Sequence, residues 1–373
     1  MLGTPRTELV VAVFPLPAVS AGNPYIARLH EALERRGVRF VAPELGLTPR
    51  FAANARGRVD VVHLHWLEYI VRVAGTNLES MARTHVRVAR YALALRMLRA
   101  NGIRIVWTVH NRRPHERPFP WLDEPLFRYT ARMSDALVLH TPTAARYVAT
   151  DLQRAIPAWI APHPHYRGAY PADGRPRAEQ RAAYGLDPSS FVYLMFGQVR
   201  DYKRIPEAVR AFRELPDRDV NLIVAGAPRD DAAVAEIRAA AAGDERVTTL
   251  LRHVPDEEVS TLFELADAAV LNQREIFTSG ALLLALSYGL PVVAPAEGSA
   301  GDVANGPALE TFDEGELPRA LRAIRSGEAA VRRGAALRAI EGYTHDALAE
   351  QVLNAYRGER GAVVRPDHAA AAS

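Results

Sequence analysis

Phe191-Val-Tyr-Leu-Met-Phe-Gly197-Gln-Val-Arg200-Asp-Tyr-Lys203-Arg-Ile-Pro-Glu-Ala-Val-Arg-Ala-Phe212 reads as a buried strand, a glycine turn, a basic loop and the start of a helix. Phe191 to Phe196 is a short apolar run rich in aromatic and β-branched residues, the composition of a central parallel strand. Gly197 allows a sharp turn and a close approach of backbone to a ligand. Pro206 suits the first turn of the helix that carries Ala208, Val209 and Phe212. Lys203 is the chain's only lysine; the other 45 of its 46 basic residues are arginine. One retained lysine points to a site that needs a compact, rotatable charge rather than a planar fork. Phosphate binds in α/β sheets at such a junction of strand end and helix start. A solvated surface lysine is the plainer alternative.

Outward from this stretch the same pattern repeats. Downstream, strands are expected at 191–196, 220–225, 247–251, 267–271 and 291–294, and helices near 205–214, 230–242, 256–265 and 279–288. Upstream, strands are expected over 9–14, 38–41, 59–65, 103–109, 136–139 and 158–161, with helices over 25–36, 84–100, 122–133 and 141–154. Strands alternating with helices imply right-handed βαβ units on parallel sheets. The expected architecture is therefore α/β, with two Rossmann-like domains facing a cleft. Residues 1–170 form the first and 171–345 the second. A helix over 346–358 returns to the first domain, and 359–373, lacking a core pattern, is expected to be a disordered tail.

Composition narrows the function classes. The absence of cysteine excludes disulfides and thiolate chemistry. No apolar run reaches the ~20 residues of a membrane-spanning helix, and the first residues carry no signal pattern. A cytoplasmic protein is expected. Residues 1–165 hold 22 arginines and 12 acidic groups, a formal +10, which leaves −7 to the rest. That asymmetry suggests a polyanion or an anionic membrane surface as partner of the first half; arginines on solvated faces are the alternative. The 84–100 helix carries Arg83, Arg87, Arg90 and Arg96 with Val86 and Leu93, and Phe119-Pro-Trp121 follows nearby in sequence.

A second polar cluster, Asn272-Gln-Arg-Glu275-Ile-Phe-Thr278-Ser279-Gly280, follows the strand ending at Leu271. Thr278 and Ser279 stand where helix caps belong, and Gly280 gives access to free N–H groups, so the cluster reads as an anion site. Glu275 is placed to accept hydrogen bonds from sugar hydroxyls. In the first half, Glu68 is a candidate general base toward an acceptor hydroxyl. His63 and His65 share a strand face, but no third ligand has suitable spacing, so no metal site is expected.

Gly197 to Lys203, Phe277-Thr-Ser-Gly280 and Ser287-Tyr-Gly-Leu-Pro-Val-Val-Ala-Pro295, with Asp60-Val-Val-His-Leu-His-Trp66 and Thr108-Val-His-Asn111, resemble the GT-B glycosyltransferases of the family-4 type. Within them they are similar to bacterial exopolysaccharide and glycolipid enzymes. The resemblance implies a hexosyltransferase with a nucleoside-diphosphate sugar as donor, GDP-mannose among the candidates, and no metal requirement. It implies a lipid-linked or polysaccharide acceptor and a site on the inner face of a membrane. Arg200 and Lys203 would hold the diphosphate, with Gly197 and Gln198 in the same loop and Thr278, Ser279 and Gly280 opposite. Arg252, His253 and Val254 would contact the base. His110 would lie by the donor sugar or reaction centre, and Gly22, Asn23 and Asn111 on the acceptor side. Two departures stand out: Gln198 replaces the family's arginine after the glycine, and Leu284 replaces the second of two glutamates, with Glu275 adjacent to the place of the first. A nucleotide-sugar 2-epimerase and a basic polyanion-binding protein remain as alternatives; nucleic acid is not an expected partner, since no helix-turn-helix or zinc motif is present.

Overall fold

A computed structural model describes residues 8–15, 24–42, 46–73, 75–113 and 119–367. The chain divides into two compact units; one comprises the chain up to Pro164 and again from Thr344, and the other runs His165–Tyr343.

The first unit alternates β1 (Leu9–Phe14), α1 (Pro24–Glu34), β2 (Val38–Val41), α2 (Pro49–Ala55), β3 (Val61–Leu64), α3 (Leu67–Val71), α4 (Leu78–Ala100), β4 (Arg104–Thr108), α5 (Pro120–Met133), β5 (Ala136–Leu139), α6 (Pro142–Asp151) and β6 (Ile156–Ile160). The second contains α7 (Arg177–Ala183), β7 (Phe191–Phe196), α8 (Ile205–Arg213), β8 (Val220–Ala225), α9 (Asp231–Ala241), β9 (Val247–Leu250), α10 (Asp256–Leu265), β10 (Ala268–Val270), α11 (Gly280–Ser287), β11 (Val292–Pro295), α12 (Ala300–Val303), β12 (Leu309–Phe312), α13 (Leu317–Ala323) and α14 (Ala329–Ala339). The chain then returns to the first unit with α15 (His345–Arg357) and β13 (Ala362–Val364).

Among the described residues the first sheet has the order β13-β6-β5-β4-β3-β1-β2 and the second β12-β11-β10-β7-β8-β9. Every pairing is parallel except that of β13 with β6. The inner strands are mostly apolar because helices cover both faces; β3 and β5 are buried at every position, His63 included. Parallel register puts all strand C-termini of a sheet at one edge. His65 and His110 follow β3 and β4 there, and Gly197 and Asn272 follow β7 and β10.

Helix starts are set by caps: Thr48, Asn77, Thr141 and Thr344 each accept a hydrogen bond from the backbone N–H three residues on. Asn77 explains why α4 begins at Leu78, six residues before the expected Thr84. Two boundaries differ for similarly local reasons. The N–H of His165 donates to the Tyr343 carbonyl at 2.7 Å and that of Tyr166 to Ser287 Oγ at 2.9 Å, so the second unit begins before residue 171. The stretch expected as a tail contains β13, whose pairing with β6 no local apolar pattern announces. Leu348, Ala349, Val352 and Tyr356 of α15 are buried with Val106, Val138 and Trp159, and Arg36 pairs with Asp346 at 2.7 Å. No helix among the described residues is long and apolar enough to cross a membrane.

Candidate functional site

In the second unit, the C-terminal ends of β7 and β8 are packed backbone to backbone. A Cβ on Gly226 (φ 151) would stand 2.0 Å from the Gly197 carbonyl oxygen, so only glycine fits. Gly197 itself has φ 106, and a Cβ there would meet Lys203 Nζ at 3.0 Å. The lysine ammonium thus lies over the bare Gly197 backbone and donates to the Phe196 carbonyl at 3.4 Å. Burial, with Arg200 as the second cause, lowers its pKa to about 8. Taking an ammonium out of water costs free energy that an anion restores on binding. Arg200 donates to the Val199 carbonyl at 3.1 Å and to Gln198 Oε1 at 3.0 Å. Gln198, standing where the resemblance expected the family's arginine, therefore braces Arg200. Lys203 and Gly197 share a small pocket with Asn272 and Gln273. The ends of the adjacent strands β7 and β10 thereby converge.

Ser279 caps α11, its Oγ accepting from the Leu282 N–H at 3.2 Å. Thr278 Oγ1 is buried without a hydrogen-bond partner. Gly280 opens the helix beneath the Tyr166 hydroxyl, which would lie 3.0 Å from a Cβ there. Glu275 is half-buried in the preceding loop, and Leu284 is buried in the core. Arg252 forms a two-pronged ion pair with Glu258, both contacts at 2.7 Å, and Glu258 also accepts from the Tyr184 hydroxyl. His253 is exposed, and Val254 packs into the core.

In the first unit a mainly aromatic and aliphatic pocket lies at the ends of β3 and β4, against α3, α4 and α5. Trp66, Val88, Trp107, Phe119, Leu122 and Phe127 line it. Its polar lining includes His65, Glu68, Thr84, His110, Asn111 and Asp123, with Arg72 and Arg112 at the same pocket. Burial raises the Glu68 pKa above the usual carboxylate value; Asp123 adds to the rise, and Arg72 opposes it. A carboxylate so placed is a stronger base than one in water. Arg112 and Arg113 both pair with the buried Asp151, at 3.1 and 3.0 Å.

His110 stacks on Trp66, ring centroids 4.0 Å apart and planes 14° apart. Its Nε2 lies 2.9 Å from His65 Nδ1, one donating and one accepting. Burial holds both rings well below the ordinary histidine pKa, so both are neutral. His63 bonds Tyr356 Oη at 2.7 Å and Thr108 Oγ1 at 2.8 Å, which engages both ring nitrogens. His140 and His163 continue this cluster around Tyr25. The sequence reading missed Tyr25, His140, His163, Gly226 and Asp123, and quoted Asn272 without giving it a role of its own. Of these only Gly226, a glycine directly after a strand, carries a local signal. Gly22 and Asn23 lie outside the described residues.

Residues 176–306, which contain both polar clusters of the second unit, match the family model described as glycosyl transferases group 1. A GDP-mannose:glycolipid 4-beta-D-mannosyltransferase of Xanthomonas campestris pv. campestris is 30% identical over 305 residues, 80% of this chain and 78% of that one. The chain belongs to the group 1 glycosyltransferases. Among solved structures, sucrose-phosphate synthase from Thermosynechococcus elongatus superposes with a TM-score of 0.68 at 16% identity, covering 94% of this chain and 99% of that one. Anabaena HepE in complex with UDP and glucose gives 0.63 at 14%, covering 94% and 100%. These likenesses establish the GT-B fold. This glycosyltransferase is therefore an enzyme of hexosyl transfer from a nucleotide-sugar donor, and the polyanion-binding alternative is set aside.

Proposed function

We propose that this glycosyltransferase moves a mannosyl group from GDP-mannose to a hydroxyl of a glycolipid, with inversion at the anomeric carbon. The observation that carries the reading is the pocket of the first unit, where the raised Glu68 carboxyl stands among aromatic side chains. The Xanthomonas relative, a GDP-mannose:glycolipid 4-beta-D-mannosyltransferase, supports the same donor and acceptor class.

The chemistry follows from charge. The bond from C1 to the diphosphate oxygen breaks and leaves negative charge on that oxygen, which Lys203 and Arg200 are placed to stabilise, with the α11 N–H groups opposite. The acceptor oxygen forms the new bond to C1 and its proton passes to Glu68. Glu275 accepts hydrogen bonds from the donor sugar. Leu284 breaks the paired-glutamate pattern of the resembled family, a pattern associated with retention, and so fits inversion. With two protein cations on the diphosphate, no metal ion is required. The aromatic walls suit the apolar faces of sugar rings and the start of a lipid chain.

The membrane part of the reading rests on α4. Leu78, Val86 and Leu93 are 80%, 58% and 50% exposed on one face, with Ala82 and Ala89 between them and Arg83, Arg87 and Arg90 along its flank. That is the composition of a helix lying on an anionic lipid surface, and α4 also contributes Thr84 and Val88 to the pocket.

The test supplies GDP-mannose, GDP-glucose and UDP-glucose separately with an alkyl glucoside as a minimal glycolipid. GDP-mannose should be consumed fastest, giving a β-linked product by NMR coupling, and Glu68→Gln should abolish transfer. An α-linked product, or preference for the uridine donor, overturns the reading.

A further inference from the structure

We propose that Asn272 is a positioning residue for the donor diphosphate: its side-chain amide holds Arg204 in a left-handed conformation and so fixes Lys203 over Gly197. The proposal rests on the reading that Lys203 holds the diphosphate. Arg204 has φ 49 and ψ 44, the positive-φ non-glycine residue among those described. An L residue is disfavoured there and persists only where its surroundings impose it.

Its side chain does not explain the strain. The guanidinium turns to Glu314 at 3.0 Å and Glu207 at 3.9 Å. The restraint is on the backbone. The Arg204 carbonyl accepts from the Ala208 N–H at 3.1 Å, as the first bond of α8, and from Asn272 Nδ2 at 2.8 Å. A carbonyl can only accept, so the amide nitrogen of Asn272 must face it. Asn272 is 7% exposed and stands at the end of β10, the strand beside β7. One hydrogen bond therefore ties the loop after β7 to the end of the neighbouring strand.

That loop is a single tight turn. The Lys203 N–H bonds the Arg200 carbonyl and the Arg204 N–H bonds that of Asp201, each at 3.0 Å. Rotation of Arg204 out of the left-handed region would unwind the turn at its last residue and swing Lys203 away from Gly197. Asn272, Lys203 and Gly197 line the same pocket. The latch therefore acts where the ligand would sit.

The test is calorimetric titration of GDP into the full-length enzyme across a pH series, for wild type, Lys203→Ala, Asn272→Ala, Asn272→Leu, Arg204→Gly and the double variant Asn272→Ala/Arg204→Gly. Asn272→Ala should weaken GDP binding ~10-fold, the scale of one lost hydrogen bond with its consequences. Its alkaline loss of binding should move to higher pH, because a released Lys203 regains water. Arg204→Gly in that background should restore binding to within ~3-fold of the Arg204→Gly single variant, since glycine adopts the conformation without a latch. Asn272→Leu keeps the side-chain volume and should show the same loss if Asn272→Ala folds poorly. Normal GDP binding by both Asn272 variants, with Lys203→Ala impaired, overturns the latch. A loss that Arg204→Gly does not relieve, with the alkaline limb unmoved, also overturns it by assigning Asn272 to packing alone. Normal GDP binding by Lys203→Ala overturns the donor-site reading and the latch together.

Discussion

His65 Nδ1 and His110 Nε2 lie 2.9 Å apart at the ends of neighbouring strands, in a contact that two imidazolium rings could not make. His63 and His163 are held at about 3 and His140 at about 4, chiefly by burial. A histidine depressed in the folded state costs nothing while both states are neutral. As pH falls below the unfolded value of about 6.5, the unfolded chain takes up protons that the folded chain refuses, and stability is lost until the folded pKa is reached. Each such histidine contributes a slope of up to ~1.4 kcal/mol per pH unit. The melting temperature should accordingly fall steeply between about pH 6 and pH 4. A flat profile across that window would mean that the rings protonate without unfolding.

Lys203 gives a limit on the other side. Its charge is present below about pH 8 and absent above, so kcat/KM, which reports the free enzyme, should decline from there. Lys203→Ala should lower kcat/KM at least ~100-fold at neutral pH, equivalent to about 2.7 kcal/mol. Lys203→Arg should recover only part of that, and its alkaline limb should disappear because a guanidinium stays charged. Near-normal turnover of the alanine variant would remove Lys203 from the donor site.

On the proposed reading that Lys203 and Arg200 carry the diphosphate charge, turnover should persist in excess EDTA within ~2-fold of the untreated rate. A complete loss that magnesium or manganese restores would show that a divalent ion shares the leaving group.

Gly226→Ala should be costly despite adding one methyl group. Its Cβ would stand 2.0 Å from the Gly197 oxygen and 2.6 Å from the Gly197 carbon, so two strand ends must part. The expected destabilisation is about 3 kcal/mol, with weaker GDP binding because Gly197 moves. An unchanged melting temperature would show that the junction yields freely.

The α4 face predicts a separation of properties. Val86→Glu with Leu93→Glu changes two half-exposed side chains and should leave thermal stability within ~0.5 kcal/mol. Retention on vesicles containing phosphatidylserine should fall several-fold. Undiminished retention removes α4 from the membrane reading.

Local chemistry made part of this legible in advance. The run Phe191 to Phe196 is apolar because it is covered on both faces, and Ser279 is a cap because the N–H three residues on needs an acceptor. Such signals lie within a few residues. The histidine cluster was hidden because it gathers residues from β3, the ends of β4 and β5, the chain after β6 and α1. Its members take their meaning from burial, which no single stretch displays. Asn272 was quoted in a motif without a role, since the carbonyl it binds is 68 residues away. The strand β13 failed as a reading for the same reason: three short apolar residues become a strand only when β6 offers an open edge.

The division of the chain also has a consequence for its synthesis. Residues His165–Tyr343 form a unit whose sheet and cores lie wholly within that span, so it can close while the ribosome is still extending the polypeptide. The unit that is started first cannot. Its core lacks Leu348, Val352 and Tyr356 until α15 emerges, and His63 has no phenol to bind until residue 356 arrives. The order of completion is thus the reverse of the order of translation, and the nascent first unit must wait with one flank of its sheet bare. Folding of this glycosyltransferase should depend on chaperone protection of an N-terminal segment rather than of the last part made.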